Sequence, residues 1–367
     1  MFHTTIYGLC LTPTAKCVSN AIALCIIATP IGEYIPSAII SSMILVTGAT
    51  GFIGRALVRQ LSETGQDVRV MLRPSPRSPR LPKGVPVEVS VVSLNDERGV
   101  RAALRGVDQI YHLASAGSQG RRGNLLTTDI EGTRTLAQVA KDAGVARLIY
   151  LSHLGADRAS AFPLHKAKGI AEEHIRRSGV PYTIIRSSVV FGPEDRLTTN
   201  LSNFLRVLPG FFPIPGDGRT LLQPLWVEDL VTCLIWALQN AETINQTYEI
   251  GGGEYFTLRQ MLETLMNVTH TRRLLVSLPP PYMRALLVML DAFVPTFTVS
   301  TYWLDYIAVN RTCPVENLPR TFGLMPARFA YRLEYLACKP WYSNWRLFRS
   351  EKDKIKHEVR EGHKGRE

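Results

Sequence analysis

The sequence predicts a doubly wound α/β fold: a parallel sheet with helices on both faces and a smaller C-terminal cap region. Three observations carry this expectation. Residues 43–61 read in immediate succession as a buried strand, a glycine turn and a helix. Between residues 68 and 192 short apolar runs alternate with amphipathic stretches, an order that demands crossover connections and a parallel sheet. After Gly192 the alternation loosens, and Pro209, Gly210, Pro213, Pro215, Gly216 and Gly218 mark loops.

Residues 44–46 form a continuous apolar run, as expected for a central strand covered on both faces. Gly48, Gly51 and Gly54 follow at three-residue spacing. The first permits a tight turn, the second removes a Cβ where backbone would meet a pyrophosphate, and the third lets the helix lie close on the strand. Ile53, Leu57 and Leu61 then repeat at helical spacing, so the new helix points its positive end at the turn. Phosphate binding is the expectation, and an ordinary glycine-rich turn is the plain alternative.

Residues 67–72 read as the second strand, with Arg73 at its end. A carboxylate at that place would hold the two ribose hydroxyls of NAD, and none is available. Arg73, followed by Arg77, Arg80 and Lys83 in a proline-rich loop, offers a planar fork of donors to a 2′-phosphate instead. NADP is therefore the favoured cofactor, with NAD as the alternative and a solvated basic loop as the bland reading.

The remaining elements follow in order. Residues 85–92 read as a third strand, 96–104 as a helix and 109–113 as a fourth strand. A helix over 125–142 is closed by Gly144, a fifth strand covers 146–151, a helix over 164–177 is stopped by Gly179, and 181–185 form another strand. Thr257 and Gln260 fit a capping box that opens an amphipathic helix. Residues 281–294 carry apolar side chains on nearly every side of a helix too short to span a bilayer. That stretch is either a buried cap helix or a docking face for a protein complex or membrane surface. The expected divisions are an extension (1–42), a dinucleotide-binding domain (43–192), a cap region from which strands can return to the main sheet (193–340) and a charged tail (341–367).

At 367 residues, 46% hydrophobic and 20% charged, the chain can bury a large core, which excludes disorder as the default. A net charge of +11 suits a nucleic acid, an anionic membrane or a phosphorylated ligand. The basic residues are dispersed, with no aromatic-interleaved stripe, so nucleic acid is not an expected partner. Cys10, Cys17, Cys25, Cys233, Cys313 and Cys338 have no metal-like spacing and read as reduced thiols of a cytoplasmic protein, peripheral to a membrane in the alternative. Residues 21–31 are apolar, but Pro30, Gly32, Glu33 and Pro36 interrupt them. Residues 1–42 are expected to be a non-essential extension or a misassigned start, with a targeting or membrane-attachment segment as the alternative.

The motifs in order are Thr47-Gly-Ala-Thr-Gly-Phe-Ile-Gly54, Tyr111-His-Leu-Ala-Ser115, Asp129-Ile-Glu-Gly-Thr-Arg-Thr-Leu136, Leu148-Ile-Tyr-Leu-Ser152 and Ile185-Arg-Ser-Ser-Val-Val-Phe-Gly192. Together they resemble the extended and atypical short-chain dehydrogenase/reductases, which are Rossmann proteins of epimerase/dehydratase type. The resemblance spans residues 43–336. Residues 186–196, 223–229, 310–312 and 318–328 look most like the branch that contains the nucleotide-binding accessory subunit of respiratory complex I. The resemblance implies dinucleotide contacts from Gly48, Thr50, Gly51, Phe52, Ile53, Gly54, Arg73, Leu94, Leu113, Ala114, Ser115, Lys168, Ser187 and Val189.

It also implies a catalytic set, from which this chain departs. In active members a Tyr four residues before a Lys delivers the proton, the Lys holds the nicotinamide ribose, and a Ser polarises the substrate carbonyl. Lys168 and Ser152 match the Lys and the Ser, but Leu164 stands where the Tyr should be, and an alkyl chain cannot transfer a proton. Ser93 replaces an acidic residue often set beside the adenine, and Asp129 stands where an Asn usually orders a relay water. His165 shares a helix face with Lys168 and is the one nearby substitute acid, a partly exposed histidine being the bland reading. Strand alternation is expected to turn Tyr150 and His153 away from the face of Ser152. Asp229 reads as the N-cap of the helix that follows rather than as a catalytic carboxylate. Arg186, Arg196 and Arg219 read equally as cleft cations for an anionic ligand and as ion-pair partners.

Two functions remain open at this point. One is an NADP-dependent oxidoreductase or isomerase acting on a carbonyl, quinone-like or sugar-nucleotide substrate. The other is an accessory, assembly or redox-sensing protein that holds the dinucleotide with weak or absent reductase chemistry.

Overall fold

Apolar runs at period two and amphipathic runs at period 3.6 become strands and helices in the expected alternation. The computed structural model describes residues 42–75, 81–82, 84–117, 123–293, 304, 307 and 309–337. Residues 1–41 of the extension, Arg77, Arg80, Lys83, the tail 341–367 and Cys10, Cys17, Cys25 and Cys338 lie outside the described residues.

Strand β1 (Met43–Thr47) leads through the glycine turn into α1 (Phe52–Glu63), followed by β2 (Val68–Leu72), β3 (Glu88–Val91), α2 (Glu97–Ala103) and β4 (Val107–His112). Then come α3 (Gly132–Asp142), β5 (Arg147–His153), α4 (Pro163–Ser178), β6 (Tyr182–Ser187), β7 (Val190–Phe191), α5 (Leu197–Val207), β8 (Phe211–Pro215), β9 (Leu221–Leu222) and β10 (Leu225–Trp226). The chain continues with α6 (Val227–Gln239), β11 (Gln246–Ile250), β12 (Phe256–Thr257), α7 (Leu258–Thr269), β13 (Leu274–Leu278), α8 (Pro280–Phe293), α9 (Asn317–Phe322) and α10 (Glu334–Ala337).

Seven strands pair in parallel in the order β11-β6-β5-β4-β1-β2-β3. The order reverses between β1 and β4, so the connections beyond their carboxyl ends diverge and leave a crevice there. Alternate residues of each strand feed two apolar layers. Ile44, Val46, Tyr111, Ile149, Leu151 and Ile185 pack under α1 and α6. Leu45, Ile110, Leu148, Tyr150 and Ile184 pack under α2, α3 and α4. A third cluster, with Leu201, Leu205, Phe212, Ile214, Met261, Leu265, Met283 and Leu287, joins α5, α7, α8 and β8.

Local chemistry sets the ends of the elements. Asp96 caps α2 by accepting from Gly99 N at 3.1 Å. Pro163 occupies the first turn of α4, and Gly179 ends that helix in the left-handed region. Thr257 and Gln260 make both bonds of the capping box on α7. Gly252 is demanded by close approach, because a Cβ there would lie 1.8 Å from Pro224 O.

Four expectations change. The third strand shortens to residues 88–91 at the sheet edge, where Val91 is 60% exposed and only one neighbour enforces pairing. The helix expected over 125–142 divides into a π-helical turn, Leu126–Glu131, and α3. Asp229 is not an N-cap: the helix starts at Val227, and the Asp229 carboxylate accepts from Ala327 N at 2.7 Å. Finally, α8 is apolar all round yet only partly covered. Met283 and Leu287 are buried, whereas Tyr282, Val288 and Met289 are exposed.

Candidate functional site

The glycine turn forms one wall of the crevice. Gly48 has φ +73°, and a Cβ there would lie 2.7 Å from Ala114 N, so only glycine lets the end of β4 close against the turn. Gly54 is equally tight, with a virtual Cβ 2.3 Å from Gly48 O, which brings α1 down onto β1. Gly51 differs from both. Its backbone is extended, and its virtual Cβ meets only Gly48 O at 3.1 Å. The absence of a side chain there leaves room in front of the first turn of α1, which has no side-chain cap and no acidic residue. Unclaimed helix amides and a cleared approach are what a pyrophosphate requires.

Arg55 braces this turn, donating to Thr50 O at 2.6 Å and pairing with the exposed Glu194 at 2.6 Å. Phe52 and Ile53 pack onto the sheet layer, with the Phe52 ring beneath Gly192. Arg73 directly follows the last residue of β2 and is exposed. Leu94 lies against Gly132, near the start of α3, and Leu113, Ala114 and Ser115 line the chain leaving β4, half-buried. Ser187 and Val189 are committed to protein contacts: Ser187 donates to Ser152 O, and Val189 is packed in the third apolar cluster.

Lys168 is almost fully buried at 1% exposure. Its Nζ lies 3.3 Å from Asp129 Oδ1, donates to Leu151 O at 3.3 Å and stands 4.8 Å from the centre of the Tyr150 ring. Burial alone would push the ammonium down, but Tyr150 and Asp129 offset this and leave it above the usual lysine range. Tyr150 itself is pushed up to about 12 by burial, so at neutral pH it is an uncharged phenol. The other Asp129 oxygen accepts from Ala116 N at 2.8 Å. Beneath this pair, His112 bridges Thr47 at 2.7 Å and Thr133 at 2.8 Å, and burial holds it down to about 3.

The catalytic positions are occupied differently from what their sequence places imply. Leu164 is 5% exposed and packs with Ala116, Leu125 and Ala167, so an apolar cluster fills the space of the expected hydroxyl. Ser152 donates to Glu172 Oε1 at 2.6 Å, and Glu172 also accepts from Arg176 and Arg186 at 2.8 Å. Ser152 therefore faces helix α4 within a closed ionic knot. Tyr150 is turned the same way, correcting the expected orientation: it lies two residues from Ser152, and strand side chains repeat with period two.

His165 is buried rather than partly exposed, and its Nε2 is 2.5 Å from Arg311 Nη2. Because a guanidinium can only donate, His165 accepts at Nε2. Burial and Arg311 lower it to about 4, so it is a neutral base at pH 7 rather than a proton donor. His153 is lowered well below the usual histidine range by burial, then by Lys168, Arg311 and His165. Arg311, fully buried, arrives from 146 residues beyond His165 and also donates to Leu154 O. Its place beside the end of β5 had no signal in local sequence. Arg186 is an ion-pair residue with Glu172 and Glu249, and Arg219 pairs with Asp217 at the surface.

Among the described residues no group of His, Cys, Asp or Glu is placed to hold a metal ion, and no helix is long and apolar enough to cross a membrane. Cys233 and Cys313 are free, buried thiols.

Comparison with known proteins agrees with the fold and with dinucleotide binding. An NAD(P)H-binding family model matches residues 48–200, and the NAD dependent epimerase/dehydratase family model matches residues 160–251. A mitochondrial NADH dehydrogenase [ubiquinone] 1 alpha subcomplex subunit 9 from Arabidopsis thaliana is 32% identical over 247 residues, covering 66% of this chain and 61% of that protein. The chain spans about three-fifths of the length of such complex I relatives. A ceramide reductase from Caulobacter vibrioides is 25% identical over 308 residues, covering 82% of this chain and 96% of its own. The structure of a Thermotoga maritima UDP-glucose 4-epimerase shares the fold, with a TM-score of 0.62, 21% identity and coverage of 81% and 97%.

Proposed function

We propose, from the premise that this chain belongs to the NAD(P)-binding short-chain dehydrogenase/reductases of atypical kind near the complex I subunit branch, that it is an accessory or redox-sensing protein. It holds NADP(H) and has weak or absent reductase chemistry of its own. The observation that carries the reading is the Leu164 cluster: the proton donor is missing, and its space is packed with carbon. Support comes from the engagement of Ser152 with Glu172 and from the neutral, Arg311-bound state of His165.

In this reading the amides before α1, cleared by Gly51, hold the pyrophosphate, and Lys168 holds the nicotinamide ribose. Arg73 prefers a 2′-phosphate over a free hydroxyl. A bound nicotinamide would supply a hydride, but the surrounding side chains supply no proton to accompany it. The exposed face of α8, with Tyr282, Val288 and Met289, is the surface proposed to meet a protein complex. The test pairs NADPH titration with hydride-transfer assays and co-purification from membranes. Tight NADPH binding without turnover, together with recovery in a defined complex, is the expected result. Steady turnover would overturn it.

A second reading, an active reductase, is favoured by one observation: the Caulobacter ceramide reductase aligns over 96% of its own length. It predicts NADPH oxidation on addition of a ceramide-class lipid.

A further inference from the structure

A lysine ammonium at 1% exposure demands an anion, because an uncompensated buried charge costs several kcal/mol and would instead shed its proton. The groups facing Lys168 come from every element packed around it. Helix α4 contributes Glu172, one turn on, but that carboxylate is already shared by Ser152, Arg176 and Arg186. From β5 come Tyr150, an uncharged phenol, and His153, an uncharged imidazole, and from β4 comes His112, also uncharged. Arg311 and His165 act on His153 beyond it, one of them cationic and neither an anion at neutral pH. That leaves Asp129, fully buried, with Oδ1 at 3.3 Å from Nζ and Oδ2 fixed by Ala116 N.

We propose that Asp129 is a positioning residue for the dinucleotide: its charge, beside Tyr150, keeps Lys168 cationic without a tyrosine hydroxyl at position 164, while its second oxygen sets the Leu113–Ala116 wall, so that one carboxylate aligns two cofactor-holding elements. This rests on the reading of the cleft as a dinucleotide holder. Leu164 and Asp129 are then coupled. With an alkyl chain at position 164 and Glu172 already shared on that helix, Asp129 is the carboxylate that balances Lys168, from the π-helical turn Leu126–Glu131. The result is a ribose ligand whose charge does not vary with pH across the physiological range.

The coupling is read by a stability cycle and a binding profile. In the native background Asp129→Asn strands an ammonium and lowers the melting temperature, whereas in a Lys168→Met background the same change relieves a stranded carboxylate and raises it. Changes of the same sign in both backgrounds overturn the proposal. If Asp129→Asn alone does not fold, recovery of folding in Asp129→Asn/Lys168→Met supports the pair, and no recovery overturns it.

For binding, NADPH affinity of the native protein is expected to vary less than about threefold between roughly pH 7.5 and 9.5, where the 2′-phosphate is fully ionised, while Asp129→Asn loses about tenfold or more toward the alkaline end as Lys168 sheds its proton. Parallel profiles overturn the proposal. Failure of the underlying reading looks different. Native protein that binds no NADPH sinks the holder but leaves the sign of the stability cycle intact.

Discussion

Ser152 Oγ donates to the Glu172 carboxylate at 2.6 Å, and both side chains are fully buried. A serine that activates a carbonyl must keep its hydroxyl free for substrate. This one is spent inside a knot that also engages Arg176 from α4 and Arg186 from β6. Its role is to help join a helix to two strands.

The first prediction follows. Glu172→Gln loses the charge shared by two arginines and should cost about 2 to 3 kcal/mol, less than a fully buried pair because Arg176 and Arg186 reach solvent. Ser152→Ala should leave NADPH affinity within about twofold of native, a small change on the scale where 1.4 kcal/mol is tenfold. Urea melts and NADPH titrations check both. A large affinity loss for Ser152→Ala would return that hydroxyl to the site.

Gly51→Val should abolish NADPH binding while the melting temperature changes little. The extended backbone at Gly51 accepts a branched residue, whereas the space in front of it would be filled. Gly48 and Gly54 offer the contrast: alanine at either meets backbone atoms closer than 3 Å and should unfold the turn. Binding and melting measured on the same samples separate the two outcomes.

Arg73→Ala should weaken NADPH by about tenfold or more and leave NADH nearly unchanged, since a charged fork on phosphate contributes roughly 1.5 to 3 kcal/mol. Calorimetric titration with both nucleotides decides this. Equal losses would mean that Arg73 does not read the 2′-phosphate.

Leu164→Tyr restores a hydroxyl one turn before Lys168 but must displace the packing against Ala116, Leu125 and Ala167, and it faces the chain at Gly117, whose virtual Cβ lies 2.9 Å from Leu164. A loss of about 1 to 3 kcal/mol is expected from overpacking. Any reductase activity gained should appear only in this variant and not in native protein. Native turnover that survives His165→Ala would show a proton donor elsewhere.

Stability should fall on the acid side for a histidine reason. His112 and His165 are held near 3 and 4 in the folded protein against an ordinary value of 6.5. Between these limits the unfolded chain binds more protons than the folded one. The stabilisation is therefore complete above about pH 6.5 and is lost by about 1.4 kcal/mol per pH unit per histidine as pH falls toward 4. Urea melts across that window measure the slope, and His165→Gln should make it shallower.

The fold was legible because its signals are local and repeated: strand runs, helix stripes, Asp96, Gly179 and the Thr257–Gln260 box each act over a few residues. The glycine turn was legible for the same reason. Chemistry at the end of β5 was less so. Leu164 can be read as a missing donor from spacing alone, but the choice of Glu172 as partner for Ser152 depends on how α4 crosses β5 and β6. Arg311 reaches His165 across 146 residues, and no periodicity encodes that contact. Tyr150 could have been placed with Ser152, since period two puts them on one face.

The π-helical turn at Leu126–Glu131 makes the Lys168 site depend on chain length as well as on residue identity. Such a turn holds one residue more than an α-helical turn of the same span. Asp129 sits within it, so an in-frame deletion of a single neighbouring codon would let the turn relax to α-helix and swing the carboxylate by about 100° around the helix axis. Every side chain that touches Lys168 could be retained and the ion pair still be lost. Substitutions around this lysine are graded in effect, whereas a one-residue change in length is abrupt, and that asymmetry is how drift in a gene would be felt here.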